Sequence, residues 1–189
     1  MSALNKPVLV LNKVWLPIRV ITALRAFKLI FAGKASAVDS ETYYVYNWKK
    51  WTEQPVSESD DSVSTVNFLI KVPEVIVLSK YDKVFKKKAK LTKRNIYIRD
   101  GYKCQYSGKQ VRNTEADIDH VVPRSQGGKN TWENMVVCSK ELNRKKGNKR
   151  PEEVGLQLIR KPMKPDESKL LIDPKIKRPA SWDKFIRQK

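Results

Sequence analysis

Short apolar runs alternate with polar segments along the first third of the chain. Residues 7–11 and 15–21 have the length and the β-branched content of strands. Residues 22–32 instead predict a helix, because Thr22 can cap its first turn and Gly33 can end its last. The apolar residues of this segment recur at the spacing of one helical face, at Leu24, Phe27, Ile30 and Phe31. This part of the chain therefore predicts a small α/β domain.

The pattern that follows is weaker and indicates the periphery of the same domain. Residues 36–38 and 43–46 predict edge strands, and residues 53–65, which are acidic and rich in serine, predict a loop. Residues 68–78 again have the apolar character of a strand, broken at Pro73. We therefore assign residues 1–79 to this N-terminal α/β region.

The C-terminal part is rich in proline and predicts little regular structure. Residues 152–159 can form a short helix. Beyond them the sequence predicts an extended arm that ends in an aromatic anchor, Trp182 and Phe185. Together with a basic connection and a central domain, the predicted segments are 1–79, 80–98, 99–158 and 159–189, and the predicted class is α+β.

Charge narrows the range of partners. The chain of 189 residues has 39 Lys and Arg against 20 Asp and Glu, a formal net charge of +19 and a sequence pI of about 9.9. A surplus of this size usually marks a polyanionic partner, of which nucleic acid is the commonest and an anionic membrane surface the alternative. The sequence contains neither an apolar run of roughly 20 residues nor a recognisable signal peptide. A cytoplasmic or DNA-associated location is the expectation.

Two local groups of residues are compatible with nucleic-acid contact. Residues 80–99 contain nine Lys and Arg and one acid, so Lys86, Lys87 and Lys88 are candidate phosphate contacts. A solvated face or a linker is the other interpretation of this run. Trp48 and Trp51 flank two lysines and could stack on bases, although such residues more often cover a core.

The candidate chemistry lies between residues 99 and 150. Hydrolysis of a phosphodiester needs a base near neutral pH, which histidine supplies, and a cation held by oxygen ligands. His120 is the single histidine, and Asp119 beside it would point to the opposite face of an extended strand. Asn134 and Asn143 follow a Pro-Gly-Gly turn. The positive residues around Asn143 are Lys140, Arg144, Lys145 and Lys146.

The order and spacing of these residues resemble those of the HNH endonucleases. The family's ββα-metal core has Asp-His-x-x-Pro-x-x-x-Gly-Gly, then Trp-x-Asn, then Asn-x-x-Lys-Gly, which correspond here to 119–128, 132–134 and 143–147. Upstream, residues 99–108 resemble the family's Arg-Asp-Gly-x-x-Cys-x-x-Cys-Gly segment. The resemblance covers residues 92–158, and residues 8–35 resemble, more loosely, the N-terminal extension of a bacterial subgroup.

The resemblance implies roles for individual residues. His120 would be the general base, Asp119 and Asn143 the metal ligands, and Asn134 the residue that steadies the loop and the orientation of His120. The implied ion is Mg²⁺ or Mn²⁺, since an amide ligand suits an oxygen-preferring ion better than Zn²⁺. The products would have 5′-phosphate and 3′-hydroxyl ends. Candidate phosphate contacts in this region are Arg99, Arg124, Lys140, Arg144, Lys145 and Lys146.

The resemblance fails at the zinc knuckle that many relatives contain. In register with Asn143, the four expected cysteine positions read Cys104, Ser107, Ser139 and Leu142, with Cys138 displaced by one. One thiolate in four cannot hold a structural zinc ion, so we predict none. Apolar packing around Leu142, Tyr106 and Cys138 should stabilise the core instead, and the two cysteines are expected to be reduced and partly buried.

Three functions remain open from the sequence. The first is a metal-dependent DNA endonuclease, which nicks DNA or cuts both strands. The second is a catalytically inactive, basic nucleic-acid-binding protein, and the third is an RNA nuclease. A homodimer, or a protein partner bound through the N-terminal region, is also open.

Overall fold

The computed structural model describes residues 2–83 and 89–186, in two units. The first unit combines Met1–Lys86 with Ile176–Lys189, and the second is Lys87–Lys175. The predicted phosphate contacts Lys86, Lys87 and Lys88 lie outside the described residues. Among the helices that the structure describes, none has the length and apolar character needed to cross a membrane.

Nine strands and five α-helices make up the regular structure of the described residues. The strands are β1 (Pro7–Leu11), β2 (Pro17–Thr22), β3 (Ala35–Val38), β4 (Val45–Tyr46), β5 (Ser62–Ser64), β6 (Leu69–Lys71), β7 (Val75–Leu78), β8 (Ala116–His120) and β9 (Met135–Ser139). The helices are α1 (Ala23–Phe31), α2 (Trp48–Thr52), α3 (Lys93–Arg99), α4 (Lys140–Lys146) and α5 (Glu167–Leu171). The predicted class, α+β, is confirmed.

The first unit is built on a five-stranded mixed sheet in the order β2-β1-β7-β3-β4. The pair β1–β7 is parallel and the other neighbours are antiparallel. Strand β1 is fully buried from Val8 to Leu11, which explains why its sequence is a continuous apolar run rather than an alternating one. Helix α1 packs on this core through Ala23, Ala26 and Ile30.

Three of the predicted elements differ in the structure. Residues 36–38, predicted as an edge strand, lie in β3, which is paired on both sides, with β7 and with β4. Residues 53–65, predicted as a loop, include β5, which pairs with β6 in a hairpin. An ion pair of 2.7 Å between Lys71 Nζ and Asp60 Oδ1 lies at the base of this hairpin. Residues 152–159, predicted as a helix, contain only the 3-10 turn Pro151–Val154. Gly155, at a φ of +68°, ends that turn.

The C-terminal residues also differ from the extended arm that the prolines predict. They contain α5 and a 3-10 turn at Ala180–Lys184, and they divide between the two units. In the first unit, Trp182 is fully buried, and its indole N–H donates to the carbonyl of Glu74 at 2.9 Å. In the second unit, Tyr102 donates to Asp173 at 2.8 Å. Each of these hydrogen bonds gives the polar group of a large aromatic side chain a partner. The turn that contains Trp182 is thereby held to the first unit, and the segment that contains Asp173 is held to the second.

The second unit contains the predicted ββα arrangement. Strands β8 and β9 form an antiparallel hairpin, and α4 follows β9 directly and packs against β8. Ser139 caps α4 by accepting a hydrogen bond from the amide of Leu142 at 3.3 Å. Cys104 and Cys138 are buried, unbridged members of the core beneath, against which Tyr106 and Leu142 pack. The apolar contacts predicted around Leu142, Tyr106 and Cys138 are therefore present, and their contribution to stability stays a prediction.

Candidate active site

Asp119 and His120 occupy the last two positions of β8. They pair with Val136 and Met135 of β9, so their side chains leave the hairpin on opposite faces, as the sequence predicts. Asp119 is 6% exposed, whereas His120 is half-buried. The strand therefore presents a carboxylate to the interior and an imidazole near the surface.

The carboxylate of Asp119 has a partner on each oxygen. Lys146 Nζ lies 3.0 Å from Oδ1, and the hydroxyl of Tyr106 donates to Oδ2 at 2.7 Å. The same Lys146 ammonium donates to the carbonyl of His120 at 2.8 Å. Burial, and then the hydrogen bond to Asp119, raise the pKa of Tyr106, which keeps this hydroxyl a donor. One cation thus fixes both the side chain of Asp119 and the backbone of His120.

Lys146 corrects one prediction. The sequence places it among the phosphate contacts, but it is 1% exposed, and its ammonium is directed at Asp119. Lys146 and Asn143 are three residues apart on α4 and therefore share one face of the helix. A helix oriented to bring Asn143 towards β8 brings Lys146 with it, so Lys146 cannot also face a ligand in solvent.

The ring of His120 is oriented by a residue that the sequence did not single out. Its Nε2 lies 2.7 Å from Oδ1 of Asn130. An amide oxygen only accepts, so this contact requires the proton on Nε2. When the ring is neutral, Nδ1 then carries the lone pair, and Nδ1 has no hydrogen-bond partner among the described residues. The imidazole is therefore arranged to accept a proton through Nδ1.

Asn134 holds the loop that follows β8. Its side chain accepts from the amide of Val122 at 2.8 Å and donates to the carbonyls of Val122 and Lys129 at 3.1 and 3.0 Å. Asn134 thus braces the loop that contains Asn130, and it has no direct hydrogen bond to the His120 ring among the described residues. Gly128 is needed in the same loop, since a Cβ there would lie 1.8 Å from the carbonyl oxygen of Val122.

Arg99 corrects a second prediction. The sequence places it among the phosphate contacts, but its guanidinium binds groups of the protein itself. It forms a two-pronged pair with Asp100 at 2.8 and 3.1 Å. It also donates to the carbonyls of Trp132 and Met135, both at 2.6 Å. Asp100 in turn accepts from the amide of Val137 at 2.9 Å. Arg99 therefore fastens the end of α3 to β9, and with 7% of its side chain exposed it does not present a cation to phosphate.

We expect Arg99→Met to lower the free energy of unfolding by about 3 kcal/mol, because it leaves the Asp100 carboxylate buried without its main cation. The partly exposed Arg160, 3.5 Å from the same carboxylate, limits the loss. Urea unfolding followed by circular dichroism measures the change. Arg124→Met removes an exposed arginine and should stay within about 0.5 kcal/mol. Equal stability of the two variants would contradict the structural role of Arg99.

The other predicted phosphate contacts of this region are accessible. Arg124 lies in a 3-10 turn just after Pro123, and the rest lie on α4. None of them is in an ion pair within the part of the chain that the structure describes, so their charges are free to meet an anion. These exposed cations are Arg124, Lys140, Arg144 and Lys145.

The donor types near β8 suit a hard divalent cation. Asp119 offers a carboxylate, and the partly exposed Asn143 offers an amide oxygen that has no hydrogen-bond partner among the described residues. Two of the roughly four lone-pair positions of Asp119 are used by Lys146 and Tyr106, which leaves capacity for a further ligand bond. Groups of three or more His, Cys, Asp or Glu are not found within residues 2–83 and 89–186, so the amide is needed for any such site.

The positions of the zinc knuckle have other tasks. Ser139 caps α4, and Leu142 packs against the apolar core. Cys138 is held beside Cys104, and this hydrogen-bonded contact and then burial raise the pKa of the Cys138 thiol. These roles are consistent with the prediction that no structural zinc is bound, which metal analysis of the purified protein can test.

A β-hairpin followed by a helix, with a histidine at the end of the first strand and an asparagine on the helix, is the ββα arrangement that the sequence predicts for an HNH domain. Comparison with known proteins agrees. Residues 104–152 match the family model for HNH endonuclease, and residues 8–86 match the model for the HNH endonuclease-associated N-terminal domain. The second unit therefore contains an HNH endonuclease domain, and the first contains the N-terminal domain that is associated with such nucleases.

One curated relative matches part of the chain. CRISPR-associated endonuclease Cas9 of Corynebacterium diphtheriae is 39% identical over 51 residues, which are 26% of this chain and 5% of that protein. The chain thus corresponds to a small fraction of that relative.

Proposed function

We propose that the protein is a metal-dependent endonuclease that hydrolyses phosphodiester bonds of DNA, with His120 as general base. The observation that carries the proposal is the orientation of the His120 ring. Asn130 binds Nε2 at 2.7 Å, so Nδ1 is left as the basic atom. A base fixed in one tautomer and one orientation is what activation of a water molecule requires.

Asp119, the neighbour of His120 on β8, and residues of other segments complete the proposed site. Asp119 and Asn143 would hold the divalent ion, Mg²⁺ or Mn²⁺, which supplies positive charge to the scissile phosphate and the departing oxygen. Tyr106 and Lys146 hold the carboxylate of Asp119 in place through hydrogen bonds to its two oxygens. His120 Nδ1 takes the proton of the attacking water, and Asn130 stabilises the imidazolium that results.

Exposed cations support binding of the phosphate backbone. Arg124, Lys140, Arg144 and Lys145 carry charge that is not neutralised by ion pairs among the described residues. Contacts of this kind bind the backbone regardless of base sequence and weaken steeply with salt. A catalytically inactive binding protein would share them, whereas the fixed ring of His120 favours the enzyme. An RNA nuclease is the remaining alternative.

Metal removal tests the proposed activity. We expect the full chain to nick supercoiled plasmid DNA with Mg²⁺ or Mn²⁺ present and to lose this activity in EDTA. The reason is that Asp119 is negative and Asn143 is neutral, so the positive charge on the scissile phosphate has to come from the metal ion that they would hold. Gel electrophoresis measures nicking, and end-labelling should find 5′-phosphate and 3′-hydroxyl ends. Activity that persists at full rate in EDTA would refute the metal ion as part of the site.

Matched duplexes test the choice of substrate. When DNA and RNA duplexes of one sequence are incubated under the same metal conditions, the DNA duplex should be cleaved faster than the RNA duplex. Faster cleavage of the RNA duplex would select the RNA nuclease, and tight binding of both without cleavage under any metal would select the inactive binding protein.

A further inference from the structure

An exposed aromatic surface lies on helices α1 and α2 of the first unit. Phe31, the last residue of α1, is 71% exposed, and Leu24 on the same helix is 43% exposed. Leu24, Lys28 and Phe31 fall on one face of α1 by their spacing. Trp48, the first residue of α2, adjoins this face and is half-buried. We call Leu24, Lys28, Phe31 and Trp48 the α1–α2 patch.

The aromatic rings of the patch are held by contacts with one another. The ring of Trp48 is perpendicular to that of Phe31, with centroids 5.4 Å apart, and perpendicular to that of Phe27 at 6.1 Å. Edge-to-face contacts of this kind fix the orientation of a ring. Phe31 is thus an exposed ring whose orientation is fixed by its edge-to-face contact with Trp48. Trp51 is different, because it is 4% exposed and its N–H donates to the carbonyl of Lys71.

Exposed cations lie on the two helices that carry these rings, and neither helix contains an acidic residue. Arg25 and Lys28 lie on α1, and Lys49 and Lys50 follow Trp48 on α2; all four are exposed. None of the four is in an ion pair among the described residues of the chain. The first 38 residues of the sequence contain no Asp or Glu at all. The unit therefore presents an aromatic surface on two helices that also carry cations without ion-pair partners among the described residues.

This combination fits nucleic acid better than a protein partner. Lysine is depleted from protein–protein interfaces, whereas exposed aromatic rings beside cations are typical of surfaces that bind single strands. Each base can stack on a ring while the neighbouring phosphates contact lysine. In a duplex the base faces are already stacked and cannot reach Phe31. The patch therefore fits unpaired nucleotides.

We propose that the α1–α2 patch binds an unpaired segment of DNA, with bases stacked on Phe31 and Trp48 and phosphates contacted by Lys28, Lys49 and Lys50. This inference extends the proposed function, since it names a form of DNA that the chain binds outside the HNH domain. It does not depend on cleavage. The first unit then contributes to substrate binding through its own surface.

Binding of single-stranded DNA by the full chain in EDTA tests this proposal without metal-dependent cleavage. A labelled oligonucleotide is titrated with the parent protein and with Phe31→Ala, and fluorescence anisotropy gives the Kd. We expect Kd to rise by about 5- to 150-fold, the equivalent of about 1–3 kcal/mol of base stacking. Binding of a duplex of the same sequence should change little. Because Phe31 is so exposed, the variant should keep the melting temperature of the parent.

The matched control is Phe68→Ala, which removes another exposed aromatic side chain of the same unit, 49% exposed. Its Kd for single-stranded DNA should equal that of the parent. An oligonucleotide containing 5-iodouracil should crosslink under light to the peptide that contains Phe31 or Trp48. Lys28→Gln should in addition lower the slope of log Kd against log salt.

Two results would overturn the proposal. One is a Phe31→Ala variant that binds single-stranded DNA as tightly as the parent. The other is a concentration-dependent dimer of the parent that Phe31→Ala dissociates without any change in DNA binding, which would make the patch a protein interface. Neither result depends on nuclease activity. A chain that fails to cut plasmid DNA but shows the expected Kd changes would refute the proposed catalysis alone.

Discussion

His120→Ala should lower the rate of plasmid nicking by about 10²- to 10⁴-fold, the usual contribution of a positioned general base. The substitution removes the only imidazole of the chain and with it the basic Nδ1 atom. It should leave the fold intact, because the His120 side chain is half-buried and its one hydrogen bond within the described residues is to Asn130. Single-turnover kinetics with excess protein measure the rate separately from product release.

Controls for His120→Ala separate chemistry from binding and folding. DNA binding in EDTA and the melting temperature should match those of the parent. Added imidazole should restore part of the lost rate, since it can occupy the space of the ring and accept the proton. Asn130→Ala, which frees the ring but keeps the base, should show a smaller loss. An unchanged nicking rate in His120→Ala would exclude His120 as the base.

Lys146→Met should lower the free energy of unfolding by about 3–5 kcal/mol, because it leaves the buried Asp119 carboxylate without its cation. Lys146 and Asp119 are 1% and 6% exposed, so solvent cannot replace the lost charge. Methionine keeps much of the length and volume of the lysine stem, which limits the effect of a cavity. Urea unfolding at neutral pH measures the loss.

A double variant tests whether charge is the cause. Asp119→Asn combined with Lys146→Met removes both charges of this buried pair and still offers Tyr106 an acceptor, so it should be more stable than Lys146→Met alone. It should remain inactive, since the carboxylate ligand is gone. Lys145→Met, at the exposed neighbouring position, should change stability by no more than about 0.5 kcal/mol. A loss in Lys145→Met equal to that in Lys146→Met would contradict the buried pair.

The sequence predicted the framework of the site because that framework is local. The alternation of side chains along a strand separates Asp119 from His120, and the structure confirms that separation. The hairpin and the helix that carries Asn143 follow in chain order, so the ββα arrangement could be read from spacing. Cys104 and Cys138 were expected to be reduced, partly buried thiols, and the structure has both as free cysteines that are fully buried.

The errors concern residues whose role depends on distant parts of the chain. Arg99 and Lys146 were assigned to phosphate because both are cationic and lie near the motif. Their partners are far away in sequence: Arg99 binds the carbonyls of Trp132 and Met135, and Lys146 binds Asp119. One signal for Lys146 was present, since the three-residue spacing from Asn143 places it on the same face of α4.

Two other residues contact the candidate site, and no sequence pattern assigned them to it. Asn130 meets His120 only because the loop after β8, braced by Asn134 and closed at Gly128, returns towards the strand. Tyr106 lies in an irregular segment before β8, and its hydroxyl donates to Asp119. A loop conformation is determined by the sum of its contacts rather than by a period, so spacing could not predict either residue.

The sequence by itself determined the strongly basic character of the protein, the order of the nuclease motif and the opposite faces of Asp119 and His120. These properties follow from composition and from the geometry of a single strand or helix. The tertiary structure decided which cations are buried and which are exposed, which ring nitrogen of His120 contacts Asn130, and that Phe31 lies on an exposed surface beside Trp48. Those properties depend on which elements pack together, because burial and hydrogen-bond partners are defined only once distant segments are in contact.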